Sequence, residues 1–237
     1  MNQANQREAL ILAIETATSI GSIALFEGEK LLAYMDIRRA KSHARLLMPM
    51  IEQLLGNLEV APADLAAVGV SKGPGSYTGL RVGVSTAKGL CMALDKPLLS
   101  LGSLETLAEK VKGLALELDA YICPMLDARR MEVYHEVFDG LGNSRTAIEA
   151  KIIEIGTFEE LLSDQRVIFV GDGVKKCREI LAKSPHAILL DEALSSAKDM
   201  GKALYKKYVE KDFEELVSFE PFYLKSFVAT KSKKKFF

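Results

Sequence analysis

The chain opens on three short apolar runs, Ala9–Ile14, Ile20–Phe26 and Leu31–Ile37, with Glu27-Gly28-Glu29 between the second and third. Runs of that length, punctuated by turn residues, predict an antiparallel meander of three strands. The period then changes. Leu46, Leu47, Met50, Ile51, Leu54 and Leu55 recur at helical spacing behind Ser42, a residue type that caps helix starts. Pro49 lies inside that helix, where its missing N–H should bend the first turns. A strand over Ala67–Ser71, a glycine-rich loop, a helix from about Thr78 to Leu94 and a strand over Pro97–Leu101 complete the order βββαβαβ.

After a linking helix near Leu104–Lys112 the same order returns. Strands are expected at Tyr121–Leu126, Glu132–Phe138 and Ala147–Ile155, then a short helix at Phe158–Leu162 and a strand at Val167–Val170. A helix near Val174–Ala182, a strand at Ala187–Leu190 and a long helix near Ser195–Val209 follow. No residue-level repeat relates the halves; the likeness lies in the order of elements. Two tandem βββαβαβ lobes are the plan of the actin-like, ribonuclease H-like and sugar-kinase-like ATPases. The expected fold class is therefore α/β with two such lobes, 1–103 and 104–237. The last segment is free to return to the first lobe before ending in a basic tail. A generic α/β domain is the alternative that pattern alone leaves open.

Charge narrows the function. The 237 residues carry 31 Lys and Arg against 32 Asp and Glu, a formal net charge of −1. A protein that holds nucleic acid by itself usually shows a basic excess, because neutralising phosphates supplies much of the affinity. The dense basic run is Lys231, Lys233, Lys234 and Lys235; a solvated tail is its ordinary reading and contact with nucleic acid the alternative. No run approaches the ~20 apolar residues of a membrane span. The polar start lacks the order of a secretion signal. Cys91, Cys123 and Cys177 are odd in number and far apart, so neither a disulfide framework nor a zinc site is suggested, and a cytoplasmic location is expected.

The loop Lys72-Gly73-Pro74-Gly75-Ser76-Tyr77-Thr78-Gly79-Leu80-Arg81 sits between a strand and a helix, where backbone N–H groups attract anions. It fails the specific tests. No Gly-Lys-Ser/Thr ends it, Thr78 stands where a dinucleotide loop has its last glycine, and Pro74 breaks a nucleophile elbow. Gly75, Gly79, Gly83 and Ala87 are instead four apart, so small residues line one side of the helix, beside a stripe of Leu80, Val84, Cys91 and Leu94. Together with the apolar first helix, this is more such surface than one sheet face covers. A helix–helix contact with another subunit is expected there.

A catalytic set is thin. His43, His135 and His186 lie in distant segments, without metal-binding spacing. Glu15, Thr16 and Thr18 occupy the first turn, where the ATPase plan meets phosphates and magnesium, but such residues also serve ordinary turns. The second such turn could be Gly171-Asp172-Gly173. Asp127, Arg129 and Arg130 form a charged strand entry.

Five segments carry a family resemblance. Ile11-Leu12-Ala13-Ile14-Glu15-Thr16-Ala17-Thr18, His43-Ala44-Arg45-Leu46-Leu47-Met48-Pro49-Met50-Ile51, the stretch Gly73–Gly83, Asp127-Ala128-Arg129-Arg130-Met131-Glu132-Val133-Tyr134 and Glu220-Pro221-Phe222-Tyr223-Leu224-Lys225 resemble the TsaB (YeaZ) proteins over nearly the whole chain. Lys225 replaces the family's arginine, and Arg130 and Met131 stand where it usually has methionine and glycine. The resemblance implies a non-catalytic dimerisation subunit. It would assemble with a catalytic paralogue, TsaD, and a small ATPase, TsaE, that transfer a threonylcarbamoyl group to N6 of the adenosine beside the anticodon of ANN-decoding tRNAs. It also implies no cofactor of the chain's own, with ATP and magnesium or another metal used by the partners. Without the partner a homodimer would form through the first two helices; tRNA would be reached only through the complex, and no membrane is involved. The interface expected from helices and resemblance comprises His43, Leu46, Leu47, Met50, Leu54, Gly75, Tyr77, Thr78, Leu80, Gly83, Val84 and Ala87. Glu15, Thr16, Thr18, Gly171 and Gly173 would be the remnant of a nucleotide site. The competing class is a stand-alone enzyme, an ATP-dependent kinase or a metallopeptidase.

Overall fold

Strand β1 (Leu10–Glu15) is buried along its whole length, as a central strand covered on both faces must be. It pairs antiparallel with β2 (Gly21–Glu27), from Leu10↔Glu27 to Glu15↔Ser22, and β2 pairs antiparallel with the more exposed β3 (Lys30–Ile37). Helix α1 (His43–Asn57) leads to β4 (Ala67–Gly73), parallel to β1; α2 (Tyr77–Leu94) leads to β5 (Leu98–Gly102), parallel to β4. The sheet order is β3-β2-β1-β4-β5. The computed structural model describes residues 8–39 and 43–225.

Helix α3 (Ser103–Leu118) links this sheet to a second one. There β6 (Ala120–Asp127) pairs antiparallel with β7 (Glu132–His135), β7 with β8 (Glu149–Ile152), and β6 runs parallel to β9 (Arg166–Val170). Helix α4 (Glu159–Asp164) precedes β9, and α5 (Val174–Leu181) joins it to the parallel β10 (Ala187–Leu190). The order β10-β9-β6-β7-β8 is the first sheet's order read from the other edge. The chain thus carries two tandem actin-like lobes, each βββαβαβ.

The helix between the lobes packs on the second sheet, and the helix after them returns to the first. Leu104, Leu107, Ala108, Val111 and Ala115 of α3 pack on Ile122, Leu126, Ile168 and Val170 of the second sheet. Helix α6 (Gly201–Glu210) lays Leu204 on the first sheet's other face, with Ile11, Ala13, Phe26 and Leu99. Two glycines make that seat: a Cβ on Gly69 would lie 2.4 Å from Leu204, and one on Gly201 would lie 2.2 Å from the Phe26 ring.

Several boundaries differ from expectation for local reasons. The last helix starts at Gly201 rather than Ser195. Ser196 Oγ donates to Asp36 Oδ1 at 2.8 Å, and Ala197 N–H donates to Ser22 Oγ at 2.9 Å. Those bonds tie the segment to β2 and β3, and only a 3₁₀ turn, Ala197–Asp199, forms there. Strand β7 stops at His135 because Phe138 exchanges backbone bonds with Ile122 while Val137 N–H donates to Thr146 Oγ1. Its partner β8 is correspondingly short. Helix α3 runs to Leu118, past the expected Lys112, and α1 continues through Pro49. The expected cap Ser42 lies outside the described residues.

After α6 the chain forms a strap. Glu214 N–H donates to Leu98 O at 2.9 Å on the edge of the first sheet. Lys88 Nζ of α2 then donates to Val217 O (3.0 Å) and Phe219 O (2.8 Å). Phe222 N–H donates to Lys72 O at 2.7 Å, Tyr223 lies against Tyr77 with ring centroids 4.6 Å apart, and Lys225 pairs with Glu132 of β7. The strap therefore crosses from the first sheet, over the glycine loop, to the second.

Candidate functional site

The expected partner-facing stripe faces inward. Leu47, Met50 and Leu54 of α1, with Leu80, Gly83, Val84 and Ala87 of α2, are buried. Leu47, Met50, Leu54, Val84 and Ala87 share one cluster with Leu12, Ile14, Ile23, Val68 and Val70 of the sheet. The apolar periodicity is real but marks the sheet-facing side, because an amphipathic helix turns its apolar stripe to the nearest core. The small residues are also used inside the chain. A Cβ on Gly75 would lie 2.4 Å from Ala17 O, one on Gly79 2.0 Å from Thr16 O, and one on Gly83 2.2 Å from Thr16 Oγ1. Their work is to let α2 press onto the turn after β1. Leu47, Met50, Leu54, Leu80, Gly83, Val84 and Ala87 are thus buried within the chain's own fold, and Gly75 is half-buried against Ala17.

The remaining candidates sit at the rim. Leu46 and His43 are half-buried, the His43 ring lying where a Cβ on Gly21 would be 2.7 Å from it. Thr78 is exposed, and Tyr77 is held between Tyr223 and the Arg81 guanidinium, 4.3 Å above its ring. Residues missed by periodicity make up the outer face: Met48 at 40 % and Met92 at 70 % exposure, with Pro49, Ser85 and Gly89 also exposed. A Cβ on Gly89 would meet nothing within 4 Å. Glycine in mid-helix costs about 1 kcal/mol relative to alanine, and nothing in this fold requires it at position 89. That was the available signal: a helical glycine off the stripe.

The turn after β1 is equally self-contained. Glu15 Oε1 accepts Ala17 N–H at 2.6 Å, while Oε2 is buried without a hydrogen-bond partner. Burial pushes this carboxyl up to about 7. Thr16 Oγ1 donates to Gly79 O at 2.8 Å, Thr18 Oγ1 accepts Ile20 N–H at 3.2 Å, and Ser76 N–H donates to Ala17 O at 2.7 Å. The second lobe repeats the device. Gly171, at φ +117°, would place a Cβ 2.3 Å from Met125 O, and Gly173 N–H donates to that oxygen at 3.0 Å. The glycines of both lobes thus approach their own lobe's backbone closely.

The histidines are kept apart. His135 is buried on β7 with its ring edge-on to Phe158, and His186 Nδ1 lies 2.8 Å from Leu162 O. Burial lowers the pKa of His135. Among the described residues no three His, Cys, Asp or Glu side chains gather as a metal site would require, and no helix is long and apolar enough to cross a membrane.

Among known proteins, the family model described as "TsaD: tRNA N6-adenosine threonylcarbamoyltransferase" matches residues 38–231. The chain is 36 % identical to the tRNA threonylcarbamoyladenosine biosynthesis protein TsaB of Bacillus subtilis over 164 residues, 68 % of this chain and 70 % of that one. It is 28 % identical to the Escherichia coli protein of the same name over 232 residues, 93 % and 96 % of the two chains. The structure of YeaZ from Pseudomonas aeruginosa superposes with a TM-score of 0.78 at 24 % identity, covering 91 % of this chain and all of that one.

Proposed function

The chain belongs to the TsaB family of tRNA threonylcarbamoyladenosine biosynthesis proteins, and on that premise we propose that it is the docking subunit of the assembly, without chemistry of its own. Its place is beside a TsaD-like paralogue that transfers the threonylcarbamoyl group to N6 of adenosine in tRNA. ATP and metal belong to that subunit and to a TsaE-like ATPase. When the paralogue is absent, a second copy takes the same face. Three buried free cysteines suit a cytoplasmic protein.

One observation carries this reading: α1 and α2 turn outward a face with Met48 and Met92 exposed and Gly89 open, although nothing within the fold uses them. Methionines adapt to irregular partner surfaces, and a bare glycine lets a second helix approach closely. The likeness to TsaB proteins over most of the chain disfavours the stand-alone kinase or metallopeptidase. The test is charge on the outer face. Met48→Glu and Met92→Glu should leave the fold intact, because both side chains already meet water. Each should weaken pairing by at least about a hundredfold, because an unpaired charge buried at a contact costs about 3–5 kcal/mol. Unchanged elution in size exclusion and unchanged capture of the TsaD-like subunit by both variants would refute the assignment.

A further inference from the structure

Val217, at 80 % exposure, is the most water-exposed large apolar side chain among the described residues, yet its backbone is held in place. It stands on the strap's turn over residues 215–219, which Phe219 N–H closes on Glu215 O at 2.9 Å. Val217 N–H donates to Glu215 Oε1 at 3.4 Å. Leu216 and Phe219 of the same turn pack on the core of the first lobe, so the turn is seated by apolar contact and leaves Val217 outward. Lys88 of α2 fixes it from the side, giving two of its three ammonium donors to the carbonyls of Val217 and Phe219. A lone exposed valine on a loose loop would be ordinary. Here the backbone that carries it is ordered at a cost in conformational entropy, and within the chain the valine side chain returns none of it.

The turn adjoins the outer face of α1 and α2. Lys88 and Met92 are four residues apart on α2 and so share one flank of the helix, and Gly89 follows Lys88 directly. The clamp that holds Val217 therefore sets it beside Met92, and the exposed row Met48, Gly89, Met92 continues onto the strap. An apolar side chain next to an adaptable methionine suits the apolar stripe of a helix. Valine is branched and has a single side-chain torsion, so covering it costs little entropy. We propose that the strap's turn is the third side of the docking face: a helix of the TsaD-like subunit, laid across α2 at Gly89, comes to rest against Met92 and Val217. Lys88 is then a positioning residue, acting through the valine that it holds. The inference rests on the docking role given to α1 and α2, and it extends that face by a segment distant in sequence.

The test measures binding of the full chain to the TsaD-like subunit by biolayer interferometry and self-pairing by sedimentation velocity, with unfolding midpoints alongside. Val217→Asp should weaken binding to the subunit by at least about tenfold, because the new charge would be covered without a counter-ion. Val217→Ala removes two methyl groups from the contact and should weaken it roughly threefold to tenfold, while Val217→Ile should bind normally. Midpoints should stay at the wild-type value in all three, since the side chain already meets water. Lys88→Met keeps an apolar stem and removes the clamp. In that background Val217→Ala should weaken binding less than about twofold further, because the turn no longer presents the valine. Effects that simply multiply in the double variant would overturn the part given to Lys88. Normal binding by Val217→Asp and Val217→Ala, with Met48→Glu and Met92→Glu unable to bind, would overturn the strap proposal alone. So would loss of self-pairing with capture of the TsaD-like subunit unchanged. Normal binding by the methionine variants would instead refute the docking role on which the proposal rests.

Discussion

Two glycines on one helix, Gly79 and Gly89, should respond to alanine with opposite signs. Both lie within α2, where replacing glycine by alanine ordinarily stabilises by about 1 kcal/mol. At Gly89 nothing lies within 4 Å of the added methyl, so the full propensity gain should appear. At Gly79 the methyl would sit 2.0 Å from Thr16 O and 3.2 Å from Thr16 C, backbone atoms that cannot swing aside. Making room means lifting the turn after β1. That move strains the packing by roughly 1–3 kcal/mol and strips the buried Thr16 hydroxyl of its bond to Gly79 O, worth another ~1–3 kcal/mol. After the propensity gain is deducted, Gly79→Ala should destabilise by about 1–5 kcal/mol. For a chain of this size that is a fall in Tm of roughly 2–20 °C. Gly89→Ala should raise Tm by about 2–4 °C. Thermal unfolding followed by circular dichroism, with urea midpoints alongside, reads both. If the variants move in the same direction, α2 does not press on the turn as described, and the role given to the glycine stripe fails with it.

Two further predictions concern the turn after β1 and the β6–β7 hairpin. Burial raises the folded Glu15 pKa above its unfolded value, so its contribution to stability is fully present below the unfolded pKa of 4.5 and is lost as pH rises through about 7. Glu15→Gln keeps an acceptor for Ala17 N–H and removes the ionisation; on the order of 3 kcal/mol of stability loss between pH 5 and pH 8 should vanish from urea unfolding curves. A variant with the wild-type pH slope would show that Glu15 is not the group responsible. At the hairpin, Arg130→Gly relieves a left-handed residue and should stabilise by roughly 0.5–1 kcal/mol in the same assay; a destabilised variant would mean that the Arg130 side chain supports the fold.

Period and turn chemistry made the element order of both lobes legible, down to β10 and most of α2. What they could not show was which side of α1 and α2 is covered. Leu47, Met50, Leu54 and Val84 repeat as any amphipathic stripe does, and a stripe facing its own sheet looks the same in sequence as one facing a partner. Gly75, Gly79 and Gly83 are spaced as a helix-packing motif would be, yet their neighbours are Thr16 and Ala17, far back in the sequence. The late start of α6 was hidden for the same reason, since it depends on Ser22 and Asp36 binding Ser196 across the fold. The outer residues Met48, Gly89 and Met92 carry no periodic signal and emerge only once the sheet has claimed the stripe.

The packing of the turn after β1 and the openness of the outer face are linked through α2. A helix that presses glycines onto the turn after β1 has its position fixed at its N-terminus by backbone contacts, by Ser76 N–H on Ala17 O and by Thr16 Oγ1 on Gly79 O. The strap then fixes its middle, with Lys88 holding two strap carbonyls, and Tyr77 is caught between Arg81 and Tyr223. The hydrogen bonds of that turn set the register of the helix that carries Gly89 and Met92. Such pre-organisation matters most for a docking surface, since ordering an interface on binding subtracts directly from affinity. Loosening the Thr16–Gly79 contact should therefore weaken partner binding from the far side of α2, without touching a residue of the outer face.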